Sequence, residues 1–331
     1  MNEMNNETCG SSSCYTEELI ETGKNGFLEE SCAMTYIIHL VGNGRYETLI
    51  KEYHEFPTTE NAILVRNQGY KRGHICQKHP KIQTSFQDLT DAFFTVMRMA
   101  ERDYPGQNIL ILEDDFVMVP EPYESISVKK EVNEFILQHQ HENMVYSLGL
   151  VPFVSSVSLL YDEPHRISYM KITTHAILYT SSFRKYILSK YSSFSKEESA
   201  YRWLELPLLY QDWDMLLEKE RQITKYFYYQ PICIQKLTMT ENSKSHQKKF
   251  DHAFLQFLTQ IYSQYVLNMH KDIETKKELV DRWNRLYQKS HWINWILRIF
   301  ILAIFLLLLF LFQRYLFQNQ HTLKQPRIEK K

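Results

Sequence analysis

Ile109-Leu110-Ile111-Leu112-Glu113-Asp114-Asp115-Phe116-Val117-Met118 is the stretch that most constrains what this chain can fold into. Four aliphatic residues run straight into three consecutive carboxylates, and an apolar segment resumes at once. With the turn residues Tyr104-Pro105-Gly106-Gln107 before it, the aliphatic run reads as a short strand buried in a sheet that is covered on both faces. Three acidic side chains at its carboxyl end repel one another, so either one keeps its proton or a cation offsets them. A divalent magnesium or manganese ion is the economical partner. Such ions take carboxylate oxygens, leave positions for substrate phosphates, and sit where open α/β sheets place ligands, at strand carboxyl ends.

The flanking segments supply the rest of such a sheet. Residues 34–41 form a strand, followed by the tight turn Gly42-Asn43-Gly44-Arg45, which allows close backbone approach to a ligand. Residues 61–65 form a second strand, leading to a loop with Arg66, Lys71, Arg72, Lys78 and Lys81 that either meets a diphosphate or faces solvent. Ser85 opens a helix that runs to about Arg102, with Asp88 in its first turn and an apolar face from Phe86 to Ala100. Beyond the acidic strand, the pattern predicts a helix over 128–139, strands over 144–150, 167–172 and 174–179, and a helix over 181–190. An aromatic strand over 226–235 then feeds a polar loop that contains His246. The alternation is that of an α/β protein with a mostly parallel central sheet and flanking helices.

Three further residues attract attention. His175 precedes an apolar strand and is either a hydrogen-bonded structural histidine or a ligand contact. Asp212 stands where a helix begins, with Asp214 in its first turn. A cap and a favourable dipole interaction explain both, and a helix start facing a cleft can also hold a catalytic carboxylate.

The termini differ. Residues 1–33 are polar, lack the apolar core of a secretory signal, and are expected to be a disordered tail. Asn6-Glu7-Thr8 fits the glycosylation pattern. The five cysteines have no metal-ligand spacing and suit free thiols in a reducing compartment. Residues 292–317 are apolar on every face, with Arg298 and Arg314 able to snorkel to opposite interfaces, and are expected to span a membrane once. With basic residues at both ends, the expected cytosolic placement of the body rests on the missing amino-terminal signal. The resulting division is a tail at 1–33, an α/β domain at 34–249, a helical stalk at 250–291, a transmembrane helix at 292–317 and a short basic tail at 318–331. A formal net charge of -1 argues against nucleic acid as a partner.

The order of these features resembles that of GT-A-fold glycosyltransferases, and most closely the lipooligosaccharide and collagen-type galactosyltransferase family (glycosyltransferase family 25-like). The resemblance covers about residues 34–246: an opening strand with a basic turn, a long helix, Leu-Ile-Leu-Glu-Asp-Asp, a Thr-His-Ala strand, an acidic helix start and a Pro-containing strand ending in a polar Ser loop. It implies a metal-dependent enzyme that moves a hexose from a nucleotide-diphosphate sugar to a hydroxyl of a glycan, lipid or protein, with inversion. Carried over residue by residue, Glu113-Asp114-Asp115 matches the family's acidic motif. Asp115 would hold Mn²⁺ or Mg²⁺ with Glu113 and His246, while Glu113 and Asp114 would reach the donor. His39 and Arg45 stand where the family has Asn and Arg and would contact the donor; His175 and Asp214 would line the reaction centre, and Asp212 would be the base.

Two other classes remain. Clustered acids also serve nucleotidyltransferases and nucleases, although a nuclease would want a basic groove. A membrane-tethered scaffold with a degenerate transferase fold would need no catalytic residues, but it has no reason to tolerate three adjacent carboxylates.

Overall fold

The computed structural model describes residues 14–71, 76–155, 164–172, 175–192, 197–236 and 275–323. The strands are β1 Tyr15–Glu21, β2 Met34–Leu40, β3 Asn61–Asn67, β4 Ile109–Glu113, β5 Phe116–Met118, β6 Met144–Ser147, β7 Val151–Ser155, β8 His165–Ile172, β9 Ala176–Tyr179, β10 Thr224–Tyr228 and β11 Cys233–Gln235. The α-helices are α1 Tyr46–Glu55, α2 Ser85–Asp103, α3 Pro120–Glu124, α4 Ile126–Gln138, α5 Ser181–Tyr191, α6 Trp213–Lys219 and α7 Lys276–Leu323.

The main sheet has the order β1-β3-β2-β4-β9-β6-β10-β8-β7. β3, β2 and β4 are parallel, and β6 is parallel to β10. β9 is antiparallel to both β4 and β6, so these five strands share one direction around a single reversed strand. The chain is therefore mixed α/β with a mostly parallel centre. Helices cover both faces because adjacent residues of each central strand point to opposite sides. Tyr36, Ile38, Ile109 and Ile111 pack with α2, α5 and α6 on one face. Ile37, Leu110 and Leu112 pack with Leu49 and Tyr53 of α1 and Val132 and Ile136 of α4 on the other. Both faces of β4 are sealed, which is why its sequence is continuously apolar rather than alternating.

Several local expectations change. The supposed tail contributes β1, which pairs with β3 from Tyr15↔Asn67 to Glu21↔Asn61. Backbone pairing needs no apolar run, so a polar edge strand escapes a reading by hydrophobic pattern. Cys14 is bonded to Cys76, whereas Cys32 and Cys233 are free and buried, which corrects the all-thiol reading. The cap of α2 is Thr84, in a reciprocal box with Gln87, not Ser85. The aromatic run near the end of the body splits into β10 and β11, and β11 leaves the main sheet to pair with β5 in a two-stranded ribbon.

Contacts divide the chain into Met1–Tyr287 and Gln288–Lys331. In the first unit, the opening turns of α7 pack on the ribbon. Leu279, Trp283 and Tyr287 bury themselves with Val117, Val119 and Ile234. In the second unit, Arg298–Leu316 is 19 residues long and apolar enough to cross a membrane. At about 1.5 Å per residue its length is close to the hydrocarbon thickness.

Candidate functional site

The site grows from the winding of the sheet. From β2 the chain passes through α1 to β3 on one side, then crosses back through α2 to β4 on the other. The carboxyl ends of β2 and β4 thus flank a topological switch point, where open α/β sheets form their ligand crevice. After β2, Gly42 and Gly44 take φ of 80° and 77°, values that L side chains rarely adopt. This turn brings Asn43 and Arg45 back over the end of β4.

Asp114 is the hub of that closure. Its Oδ2 accepts from His39 Nδ1 at 2.9 Å, the Leu40 N–H at 3.1 Å and Asn43 Nδ2 at 2.5 Å. Its Oδ1 accepts from Arg45 Nη1 at 2.7 Å. Burial alone would raise its pKa, yet the His39 hydrogen bond and the Arg45 charge hold the carboxyl below its ordinary range. An ionised carboxylate has about four acceptor positions, and four donors reach this one.

Asp115 is more deeply enclosed, at 5 % exposure. Gln235 Nε2 contacts both of its oxygens at 3.2 and 3.1 Å, and Arg45 Nη1 lies 3.3 Å from Oδ2. Burial pushes its carboxyl up to about 7; Arg45 opposes the rise and Asp114 adds to it. Glu113, half-buried at the end of β4, donates its backbone N–H to His175 O at 2.8 Å.

The side chains of the other expected residues make different contacts. His175 is wholly buried, with Nε2 3.3 Å from Cys233 O and its ring against the edge of Trp283. Asp212 caps α6, its Oδ1 accepting from Asp214 N at 3.0 Å and Met215 N at 3.4 Å. Asp214 is in the first turn of that helix. His246 lies outside the described residues. In the basic loop, Lys78 is buried against Asp88, Asp91 and the Tyr15 ring rather than presented to a ligand. Arg66 pairs with Glu18 at 3.3 Å. His39, Arg45, Asp114 and Asp115 therefore assemble with Glu113 beside them. Asn43 and Gln235 join them unforeseen. Asn43 carried a signal in its glycine-flanked turn, whereas Gln235 carried none.

The resemblance seen in the sequence implies a divalent cation, and these residues do not fit one as they stand. Three donors reach Asp114 Oδ2, and Arg45 lies between Asp114 Oδ1 and Asp115, whose oxygens Gln235 also contacts, so an ion bridging the two carboxylates would have to displace Arg45 or Gln235. Among the described residues, no three His, Cys, Asp or Glu side chains are grouped to hold a metal.

No family model matches the chain, and no curated protein matches it. Solved structures are similar to it, among them two with low scores. One is a glycosyltransferase involved in the glycosylation of the major capsid of PBCV-1. It is 11% identical, with 65% of this chain and 98% of that one covered and a TM-score of 0.32. The other is a Bacillus anthracis protein described as a glucose-1-phosphate thymidylyltransferase, solved with sucrose. It is 13% identical, with 67% and 97% covered and a TM-score of 0.29. Family 25 finds no support in these comparisons. Likeness at this level leaves the assignment to the geometry of the site.

Proposed function

We propose that this chain is a glycosyltransferase that takes a hexose from a nucleotide-diphosphate sugar and passes it to a hydroxyl of a glycan, lipid or protein. The observation that carries this reading is the Asp114 bridge between the carboxyl ends of β2 and β4, which sets Arg45 at the switch-point crevice. A nucleotide diphosphate suits that position, because a charged guanidinium 24% exposed at the crevice can pair with phosphate oxygens. Arg45 would stabilise the charge that develops on the leaving diphosphate. Asp212 would take the acceptor proton as the hydroxyl attacks the anomeric carbon, giving inversion. The apolar segment Arg298–Leu316 supports attachment to a membrane, where lipid-linked or membrane-protein acceptors would be concentrated.

A thermal-shift panel of nucleoside diphosphates and their sugars, with and without manganese, tests the reading on the full chain. One nucleotide sugar should raise the melting temperature and yield a transfer product. A panel in which none shifts it rejects a nucleotide-sugar enzyme. Release of pyrophosphate from a nucleoside triphosphate would instead favour a nucleotidyltransferase, the second phosphate-handling chemistry that clustered acids allow.

A further inference from the structure

We infer that Arg45 is the resident counter-cation of the acidic turn and meets the donor diphosphate there in place of a divalent metal. The diphosphate half of this inference rests on the function proposed above; the charge-balance half does not. Three observations support it.

The first is position. A single guanidinium nitrogen lies 2.7 Å from Asp114 Oδ1 and 3.3 Å from Asp115 Oδ2, between two adjacent buried carboxylates. That is where a bridging cation would do most to offset their repulsion. The second is occupancy. On Asp114, Oδ2 accepts from His39, the Leu40 N–H and Asn43 while Oδ1 faces Arg45, and on Asp115 the Gln235 amide nitrogen contacts both oxygens. A magnesium-like ion needs near-octahedral oxygen ligands at about 2.1 Å and would break several of these bonds to enter. The third is preorganisation. Arg45 is not a mobile surface residue swung inward: its backbone N–H is held by Asn43 Oδ1 at 3.0 Å, within the turn set by Gly42 and Gly44. The guanidinium is delivered to the carboxylates by that turn. A guanidinium has five N–H donors in a fixed fork whose geometry matches both carboxylate and phosphate oxygens.

The test titrates Mn²⁺ against the full-length protein in detergent and reads free Mn²⁺ by electron paramagnetic resonance. Wild type should leave the ion essentially free. Arg45→Ala should gain a site at least about tenfold tighter, because an unbalanced carboxylate pair then seeks a cation, and Arg45→Ala/Asp115→Asn should lose it again. Arg45→Lys, which keeps the charge, should resemble wild type. Arg45→Gln repeats the test if the alanine variant does not fold. Stoichiometric Mn²⁺ binding by wild type that Asp115→Asn abolishes overturns the inference.

A parallel arm measures UDP and GDP binding. It should be unaffected by EDTA and about tenfold weaker in Arg45→Ala. Nucleotide binding that needs manganese, or that ignores the Arg45 change, overturns the diphosphate half. If neither those nucleotides nor the sugar panel binds while the Mn²⁺ results are as expected, the functional reading falls and the charge balance stands.

Discussion

Gln235 Nε2 lies within 3.2 Å of both carboxylate oxygens of Asp115, although 120 residues separate the two in the chain. The contact closes a short ribbon over the acidic turn, since Lys236 N–H also donates to Asp115 O at 2.7 Å. Removing the amide would leave a buried carboxyl short of a donor. Gln235→Leu should therefore destabilise the body by about 1–3 kcal/mol in urea unfolding. Gln235→Asn, with a shorter reach, should fall between it and wild type.

The same carboxyl sets a pH dependence. Its folded pKa of about 7 lies above the ordinary 3.8, mainly because burial penalises the ionised form. Between those values the unfolded chain has released a proton that the folded chain still holds. Folding must then take up a proton, which becomes more costly as pH rises, so this group's contribution falls through the window and levels off above it. Asp115→Asn should gain stability relative to wild type over that window. Parallel stability profiles for the two proteins would refute the shift.

Trp283 fixes the start of α7 to the ribbon. Its ring is fully buried, and Nε1 donates to Gln235 O at 3.2 Å. Trp283→Ala should cost about 3–5 kcal/mol and loosen the Gln235 contact, read as faster hydrogen exchange across Cys233–Gln235. Unchanged exchange there would mean that α7 does not support the site.

The Cys14–Cys76 bond closes a loop with a sequence separation of 62 residues, and a cross-link of that span stabilises by about 2–4 kcal/mol. Disulfides persist in oxidising compartments, so the state of this pair reports the side of the membrane that the body occupies. Maleimide labelling of the denatured, unreduced protein from native membranes should leave this pair unmodified, and protease treatment of sealed vesicles should spare the body. Full labelling of the pair together with digestion of the body would restore the cytosolic placement.

Asp212→Asn separates the cap of α6 from the proposed general base. Asparagine caps a helix about as well as aspartate, so stability should change by no more than about 0.5 kcal/mol. Loss of a general base should reduce transfer by about 10²–10⁴-fold while donor binding is kept. Normal turnover would leave Asp212 as the cap of α6 and no more.

The central strands and most helices were legible because burial leaves a plain mark: β4 is continuously aliphatic, and α2 carries an apolar stripe. β1 was not legible, because an edge strand can be polar. The ribbon was not legible either, because it joins three-residue segments that no local pattern links. Within the site, the acidic turn stood out by charge and Arg45 by its glycine turn, while His39 was reached only through the family resemblance. His175 was ambiguous in sequence, and only its enclosure by Cys233 and Trp283 gave it a structural contact.

The amino-acid sequence by itself determined that three carboxylates would follow a buried strand, and that their repulsion would need an answer. Local chemistry dictates that much, since adjacent charges interact whatever the fold. Which group answers them was decided only by the tertiary structure. The winding of β2 and β4 around the switch point brings the Gly42–Gly44 turn over Glu113-Asp114-Asp115, and so sets Arg45, His39 and Asn43 on Asp114. The answer depends on distances across the fold, which the order of residues along the chain does not contain.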